Sequence, residues 1–441
     1  VNVHTSPKEA LAGILGSDAL IAEEQYLHQW AIDGLCPEAI VRPGSVEDIA
    51  RVMRWACQEG EGVVFRGGGT FIQAGYPPDR DFIVLSLDRL SRMVDYQPAD
   101  MTVTVEAGMT LSALQSVLRA QGQFLPVDPP CPQRATIGGL LAANASGPSR
   151  YGYGTLRDML IGIRVVLADG SVVKGGGRVV KNVAGYDTPK LYIGSWGTLG
   201  AIVEATFKIR PLPSATATAL WPFERPDPAE PLIAGLIDSD LLPTFLELTS
   251  SELLQEVLPP SLRTAPCILS AGFDGNRESV AWQREHAGGI AQGKGILAPI
   301  VLQGQEEVSY RKALSEAINT AWGGLSCKAN LLSSQVASFC EVAQKAAREA
   351  GLQAAIAAHA GSGIVYLHVR ECLDERGAIS WLQRSGDQIQ AAGGNLVVLK
   401  APRPVKEAVP VWGRPTGDRD LMRRLRSKLD PKGILNPGRY I

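Results

Sequence analysis

The sequence has little of what fastens small secreted folds or metal centres: seven cysteines and five histidines in 441 residues. The cysteines, at 36, 57, 131, 267, 327, 340 and 372, are odd in number, scattered, and free of any Cys-x-x-Cys pair. That excludes a disulfide framework and offers no zinc or iron–sulfur ligand set. No uncharged apolar run reaches the ~18–20 residues a membrane helix needs, and residues 1–16 lack the basic-then-apolar order of a secretion signal. Direct membrane insertion is therefore not expected, and the expected location is cytoplasmic, with any membrane association made through partners. Neither sign of charge prevails: 43 Lys and Arg stand against 45 Asp and Glu, with no long block of either, so nucleic acid is not an expected partner. Two nucleotide signatures are also missing. There is no Gly-x-x-x-x-Gly-Lys-Ser/Thr and no Gly-x-Gly-x-x-Gly between a strand and a helix, which disfavours a P-loop enzyme and a standard Rossmann dehydrogenase.

What is present is an ordinary globular composition, 45% hydrophobic and 20% charged, in a chain long enough for two or three domains of about 150 residues. Ile40-Val41 reads as a strand; Ser45 with Asp48 suggests a capping box, and Val46, Ile49, Val52, Met53 and Ala56 repeat at helical spacing up to Gly60. The strand Val63-Val64-Phe65 then runs into Arg66-Gly67-Gly68-Gly69-Thr70, and Ile83 to Leu87 reads as another strand. Met101 to Ala107 alternates as a half-buried strand does, and Thr110 caps a helix carrying Leu111, Leu114, Val117 and Leu118. Residues 126–158 are too rich in Pro, Gly and small polar residues for a regular element. Asp169-Gly170 predicts a hairpin turn, prolines from 211 to 231 mark a less regular stretch, and Gln335 to Gly351 reads as a helix. The tail returns to a helix, Asp418 to Leu429, with Leu421, Leu425 and Leu429 on one face, followed by a turn at Asp430 to Gly433.

A loop of bare glycines lets consecutive backbone N–H groups converge on phosphate oxygens. For one such loop alone a plain turn is the more ordinary reading. Here the pattern recurs in Ala135-Thr-Ile-Gly138-Gly139, in Asn144-Ala-Ser-Gly147, and in Gly194-Ser-Trp-Gly197-Thr-Leu-Gly200, which favours a flat polyanionic ligand.

Six motifs in order resemble those of the FAD-binding subunits of bacterial glycolate oxidases, within the vanillyl-alcohol-oxidase or PCMH-type flavoproteins that include D-lactate and other 2-hydroxy acid dehydrogenases. They are Arg66 to Thr70, Ala135 to Gly139, Arg150-Tyr-Gly-Tyr153-Gly154 with Arg157-Asp158, Val180 to Asp187, Gly194 to Ile202, and Gly433 to Gly438. The resemblance implies an α+β fold: an N-terminal helical segment (1–37), a two-lobed FAD-binding domain (38–213, lobes 38–100 and 101–213), an α+β cap (214–400), and a C-terminal segment (401–441) returning to the first domain. It implies noncovalent FAD, with the diphosphate held by Arg66, Gly67, Gly68, Gly69 and Thr70. It further assigns to the cofactor Ala135, Thr136, Gly138, Gly139, Asn144, Gly147, Tyr153, Gly154, Asp158, Gly197, Gly200, Ile202 and Asn436. Its implied partners are a second flavin subunit, an iron–sulfur subunit and a small 2-hydroxy acid.

Oxidising such an acid requires a cation for the carboxylate, a base for the hydroxyl proton, and a hydride acceptor. His359 occupies a matching place for the base, with a structural histidine in a turn as the more ordinary reading. Arg403 and Lys400 are carboxylate candidates that more often face solvent; Lys181, Asn182 and Tyr186 are candidates for the pocket lining. Catalytic dehydrogenases of this group often carry His-x-Gly-Asp-Gly-Asn-x-His, where this chain reads His359-Ala-Gly-Ser-Gly-Ile-Val-Tyr-Leu-His368, so no metal site is expected. No histidine adjoins the glycine loops to carry a covalent flavin, and Cys131 is a remote candidate for that bond. The basic helix face with Arg423, Arg424, Arg426 and Lys428 suits either a partner or solvent. Two rival functions share the fold: a subunit that holds flavin without turnover, and a sugar-nucleotide reductase.

Overall fold

The computed structural model describes residues 6–177, 186–415 and 417–440. Four sheets organise the described residues. The first orders Leu20–Ile21, Ile40–Val41, Phe82–Ser86 and Gly62–Arg66, the last three mutually parallel. Helix Val46–Glu59 supplies the crossover and buries Ile49, Val52, Met53 and Ala56 against Val63, Ile83 and Leu85. Each such aliphatic side chain contributes about 1.5–3 kcal/mol on burial. The opening segment is not purely helical, because Leu20–Ile21 pairs with Ile40–Val41 and so belongs to this sheet. The expected capping box is half made: Ser45 Oγ accepts from Asp48 N (3.1 Å), but the Asp48 carboxylate reaches past Ser45 to Gly44 N (3.2 Å).

A five-stranded antiparallel sheet follows, in the order Met93–Gln97, Thr102–Glu106, Ala201–Lys208, Leu160–Val166, Val172–Gly176. The hairpin at Asp169-Gly170 forms as read. Strand Thr102–Glu106 is buried on both faces rather than one. Its polar positions tolerate this because they find partners: Thr104 pairs with Thr206 (3.0 Å) and Glu106 takes Arg92 (2.7 Å). Over this sheet, helix Leu111–Arg119 buries Leu111, Leu114 and Leu118, while Val117 stays outside. Residues 126–158 contain three short helices, Ile137–Ala143, Arg150–Tyr153 and Leu156–Met159. The glycines there masked a cap: Thr136 Oγ1 accepts from Gly139 N, and Ile137, Leu140 and Leu141 turn inward.

The eight-stranded antiparallel sheet runs Ile300–Leu302, Ala215–Phe223, Cys267–Gly275, Phe245–Ser250, Ala354–His359, Ile364–Val369, Leu325–Asn330, Asn395–Lys400. The proline-marked stretch is thus partly regular, with Pro222 near the end of strand Ala215–Phe223 and turned outward. Helices Arg277–Gly293, Val336–Glu349 and Glu375–Ala391 pack on this sheet.

The tail closes on the first sheet. Val63 N donates to Ile434 O and Asn436 N to Val63 O, both at 2.8 Å, so residues 434–436 run as a parallel bridge beside Gly62–Arg66. Helix Asp418–Leu429 sends Leu425 and Leu429 toward the core of the second lobe, whereas Leu421 is 62% exposed. A buried ion pair fixes the arrangement from the other side: Lys406 Nζ holds both carboxylate oxygens of Asp33 (2.7 and 2.8 Å) and the carbonyl of Gln73. Breaking such a pair strands a buried charge, at about 3–5 kcal/mol. Lys406→Met is expected to lower the urea midpoint accordingly, and Asp33→Asn in the same chain to recover part of the loss. Equal stability of Lys406→Met and the native protein would show the pair to be incidental.

Candidate functional site

Strand Gly62–Arg66 delivers the Arg66–Thr70 loop against the loop 134–136, and the glycines decide how close they come. A Cβ on Gly68 would lie 1.6 Å from the Arg134 carbonyl oxygen, and one on Gly67 2.0 Å from Thr136 Oγ1. Bareness at these positions therefore first serves loop-on-loop contact, and the anion cradle is its result. The amides of Gly67, Gly68, Gly69 and Thr70 donate to no acceptor among the described residues. Four successive unpartnered donors beside a cavity are the arrangement that binds phosphate.

That cavity, about 110 Å³, is lined by Arg66, Gly67, Gly68, Gly69, Thr70, Thr136, Gly138, Gly139, Gly197, Gly200, Ile202 and Asn436. These residues come from four separate stretches of chain. Asn436 is partly committed: its Nδ2 donates to the Trp196 carbonyl (2.6 Å) and holds the turn in which Trp196 takes a left-handed φ of 52°. Arg66 stacks over Trp30, 4.2 Å from the ring centroid.

Six of the sequence candidates lie outside this lining. Ala135 is buried and accepts from Leu111 N. Asn144 ends helix Ile137–Ala143 in a left-handed conformation and lines the neighbouring chamber. Gly147 permits contact with Asp128, whose carbonyl oxygen would be 1.9 Å from a Cβ. Tyr153 donates to Asp274 Oδ2 (2.8 Å) and joins the second lobe to the large sheet. Asp158 accepts from Thr155 N and Oγ1, a true capping box, with Gly154 packed on its carboxylate. At these positions short polar loops also hold the lobe together, a structural role beside the one the resemblance implies. Lys181 and Asn182 lie outside the described residues, as does most of the Val180 to Asp187 motif; Tyr186 is almost wholly exposed. Cys131 lines neither cavity: its sulfur accepts from Asn319 Nδ2 (2.9 Å).

Phe71, Ala143, Trp196 and Trp412 line both this cradle and a larger chamber of about 1190 Å³. The two indoles pack at the junction with centroids 5.0 Å apart. The cradle alone is smaller than the ~300–1,000 Å³ of ordinary ligand pockets, whereas cradle and chamber together are not. The chamber's other wall carries Lys328, Asn330 and Tyr366 from the large sheet, with Lys328 and Tyr366 paired in register on adjacent strands. Lys328 makes no ion pair or hydrogen bond among the described residues, and burial beside Arg150 lowers it to about 8. Composition did not single out Lys328, although a lone charge in the apolar strand Leu325–Asn330 was a usable signal.

His359 does not line the chamber. It ends strand Ala354–His359 fully buried, Nδ1 2.8 Å from the Glu247 carboxylate, with Tyr366 edge-on at 5.5 Å and Nε2 unpartnered. Burial dominates both partners, pushing the Glu247 carboxyl well up and His359 down to about 3. Seven residues after His359, where the dehydrogenase motif has its second histidine, stands Tyr366. Lys400 donates to the Thr320 carbonyl and Arg403 pairs with Glu407, which commits both carboxylate candidates elsewhere. In the tail helix, Arg426 reaches the Leu435 carbonyl, so that part of the basic face points inward.

His368, bonded to Ser326 (2.9 Å), is likewise lowered by burial, to about 4. An unfolded histidine titrates near ~6.5, so between those values the unfolded chain binds more protons. The contribution of both histidines to stability is complete above about pH 6.5 and is lost progressively as pH falls toward their folded values. Glu247, whose raised carboxyl gains stability as pH falls, opposes this, so the test is differential: from pH 7 to pH 5 the urea midpoint of His368→Gln should fall less, or rise more, than that of the native protein. An unchanged slope would assign the acid sensitivity to other groups.

With this geometry in place, comparison with known proteins is direct. Residues 37–176 match the FAD binding domain model, and residues 212–396 and 414–440 the C-terminal domain of FAD linked oxidases. The chain is 27% identical over 432 residues to the glycolate oxidase subunit GlcD of Bacillus subtilis, covering 91% of this chain and 88% of that one. It is also 27% identical over 428 residues to a D-lactate dehydrogenase of Archaeoglobus fulgidus, covering 91% of each. Over 173 residues, 39% of this chain and 37% of the other, it is 42% identical to a D-2-hydroxyglutarate dehydrogenase of Xanthomonas citri. A p-cresol methylhydroxylase superposes with a TM-score of 0.74 at 18% identity, over 97% of this chain and 95% of the other, which shows a shared fold. A glycine cradle with four free amides, joined to two consecutive family domains, makes this chain a member of the FAD-linked oxidases, an FAD-dependent oxidoreductase.

Proposed function

We propose that the chain binds FAD noncovalently across the cradle and oxidises a small 2-hydroxy acid, glycolate or D-lactate, in the adjoining chamber, as the flavin subunit of a glycolate oxidase-like complex. The observation that carries this reading is Lys328, a cation without a protein counter-charge among the described residues, set in the wall of a chamber continuous with the cradle. The relatives named for glycolate, D-lactate and D-2-hydroxyglutarate support it, since these acids share a carboxylate beside the hydroxyl-bearing carbon.

The unpartnered amides of residues 67–70 and the main chain at Gly138, Gly139 and Gly197 would hold the cofactor. FAD supplies an acceptor for the two electrons released when the hydroxy acid becomes a 2-oxo acid. Lys328 fixes the substrate carboxylate, Asn330 adds an amide on the same strand, and the Trp196 and Trp412 indoles exclude water from the junction. Tyr366 lines the chamber, whereas His359 does not. Burial pushes its phenol up to about 12, so it receives or gives a hydrogen bond and is not an ionised base. His359, packed behind it, acts as a positioning residue. In this reading electrons leave to a second flavin subunit and an iron–sulfur subunit, in keeping with the Bacillus relative being one subunit of a glycolate oxidase.

One observation favours a second reading, a flavin-holding or electron-relay subunit without turnover: Tyr366 replaces a motif histidine. Anaerobic addition of glycolate or D-lactate to the purified FAD-loaded protein separates the two. Bleaching of the flavin is expected; an unbleached spectrum with both acids would leave the relay role. Acid precipitation should release the yellow colour to the supernatant. Lys328→Met should raise KM about tenfold or more, as loss of a hydrogen bond to a charged group costs about 1.5–3 kcal/mol. Because Lys328 titrates near pH 8, the native KM should be level below that pH and climb above it as the ammonium is lost.

A further inference from the structure

We propose that Arg439 is a cofactor-binding residue, whose guanidinium pairs through Nη1 with an anionic group of FAD in the cradle. The inference rests on FAD occupying that cradle. Arg439 lines the cavity and is 7% exposed, yet its Nη1 has no hydrogen-bond partner among the described residues. The rest of the group is fixed: Nη2 donates to the carbonyls of Ile72 and Ala74, the latter at 2.8 Å. The main chain is fixed as well, since the Arg439 carbonyl accepts from Trp412 Nε1 (2.8 Å) and Tyr76 N (3.1 Å). A guanidinium carries five donors, and one left buried and unpaired is costly unless a ligand meets it.

The charge balance around it points the same way. Asp33 is the carboxylate whose field reaches Arg439, but Lys406 occupies both of its oxygens. Burial lowers Arg439 only to about 10, so it remains a cation at neutral pH. Arg66, on the other side of the cradle, also has no carboxylate within ion-pair distance among the described residues and feels Arg134 as a like charge. Two guanidiniums without a free carboxylate partner, both on residues that line one glycine-lined cavity, match a ligand with at least two negative charges. FAD offers them in its diphosphate, and its reduced ring offers a further anion.

The test uses the apoprotein with two variants. Arg439→Gln is neutral and keeps one amide donor for the Ile72 and Ala74 carbonyls; Arg439→Lys keeps the charge. FAD affinity is read by quenching of tryptophan fluorescence at two salt concentrations, and the midpoint potential by spectroelectrochemistry. If the diphosphate is the partner, Arg439→Gln weakens binding of oxidised FAD by about tenfold or more, as expected for a desolvated charge pair, and shallows the salt dependence, while Arg439→Lys retains most of the affinity. If the reduced ring is the partner, the affinity holds and the potential of Arg439→Gln falls, again with Arg439→Lys closer to the native value. Native-like affinity, salt slope and potential in Arg439→Gln would overturn the assignment. So would equal losses in Arg439→Gln and Arg439→Lys, which would mark a packing role. Failure of the native apoprotein itself to bind FAD would instead defeat the reading of the cradle.

Discussion

The site depends on backbone meeting backbone. Where the Arg66–Thr70 loop crosses residues 134–136, main-chain and side-chain oxygens occupy the volume that Cβ atoms of Gly67 and Gly68 would need. Pressed this closely, the loop has no room to fold its own amides into a turn, and four donors are left facing a cavity. These residues are half-buried, so the donors stay open to a ligand while the tight crossing keeps them aimed at one place, and a polyanion can meet several at once. The same logic recurs at Gly197, where a Cβ would strike Asn436 Nδ2, the group that fixes the neighbouring turn.

Beside this frame a polar bond from the second lobe runs into an ion network of the large sheet. Tyr153 reaches Asp274, which also pairs with Arg311, and Arg311 in turn holds Glu307 between Thr216 and Thr218. Asp128, half-buried and raised by desolvation, accepts from Ser149 N and Oγ and lies in the field of His359 and Arg311. A seam of this kind is directional: each bond tolerates little displacement, so the chamber wall carrying Lys328 keeps a fixed relation to the cradle.

Much of the fold was legible because its periodicities are local. The helix at Val46–Glu59, the strand at Gly62–Arg66, the hairpin at Asp169-Gly170 and the tail helix each announce themselves through spacing, a cap or a turn pair. Misreadings came where composition and contact diverge. Glycines near 138 and 147 suggested irregular chain, whereas one stretch is a capped helix and the other a loop packed on Asp128. Leu421 and Val117 fit an apolar stripe on paper and face outward, because the stripe was drawn wider than the surface available to cover it. Of the site, the glycine loops were visible as motifs. Arg439, Lys328, Trp196 and Trp412 were not, since nothing in one dimension says that residues 71, 143, 196 and 412 share a doorway. His359 was found as a motif residue, but its enclosure behind Tyr366 is a property of sheet register.

The bridge between Val63 and Leu435 joins positions more than three hundred residues apart, and Arg439 belongs to the same closing segment. At ribosomal elongation rates of about 5–20 residues per second, tens of seconds separate the emergence of the two sides. For that whole interval the first lobe exists with an unfinished edge and a binding site missing one wall. Cofactor loading consequently comes late relative to synthesis of the first lobe, because residues 434–439 must emerge before the cradle is closed.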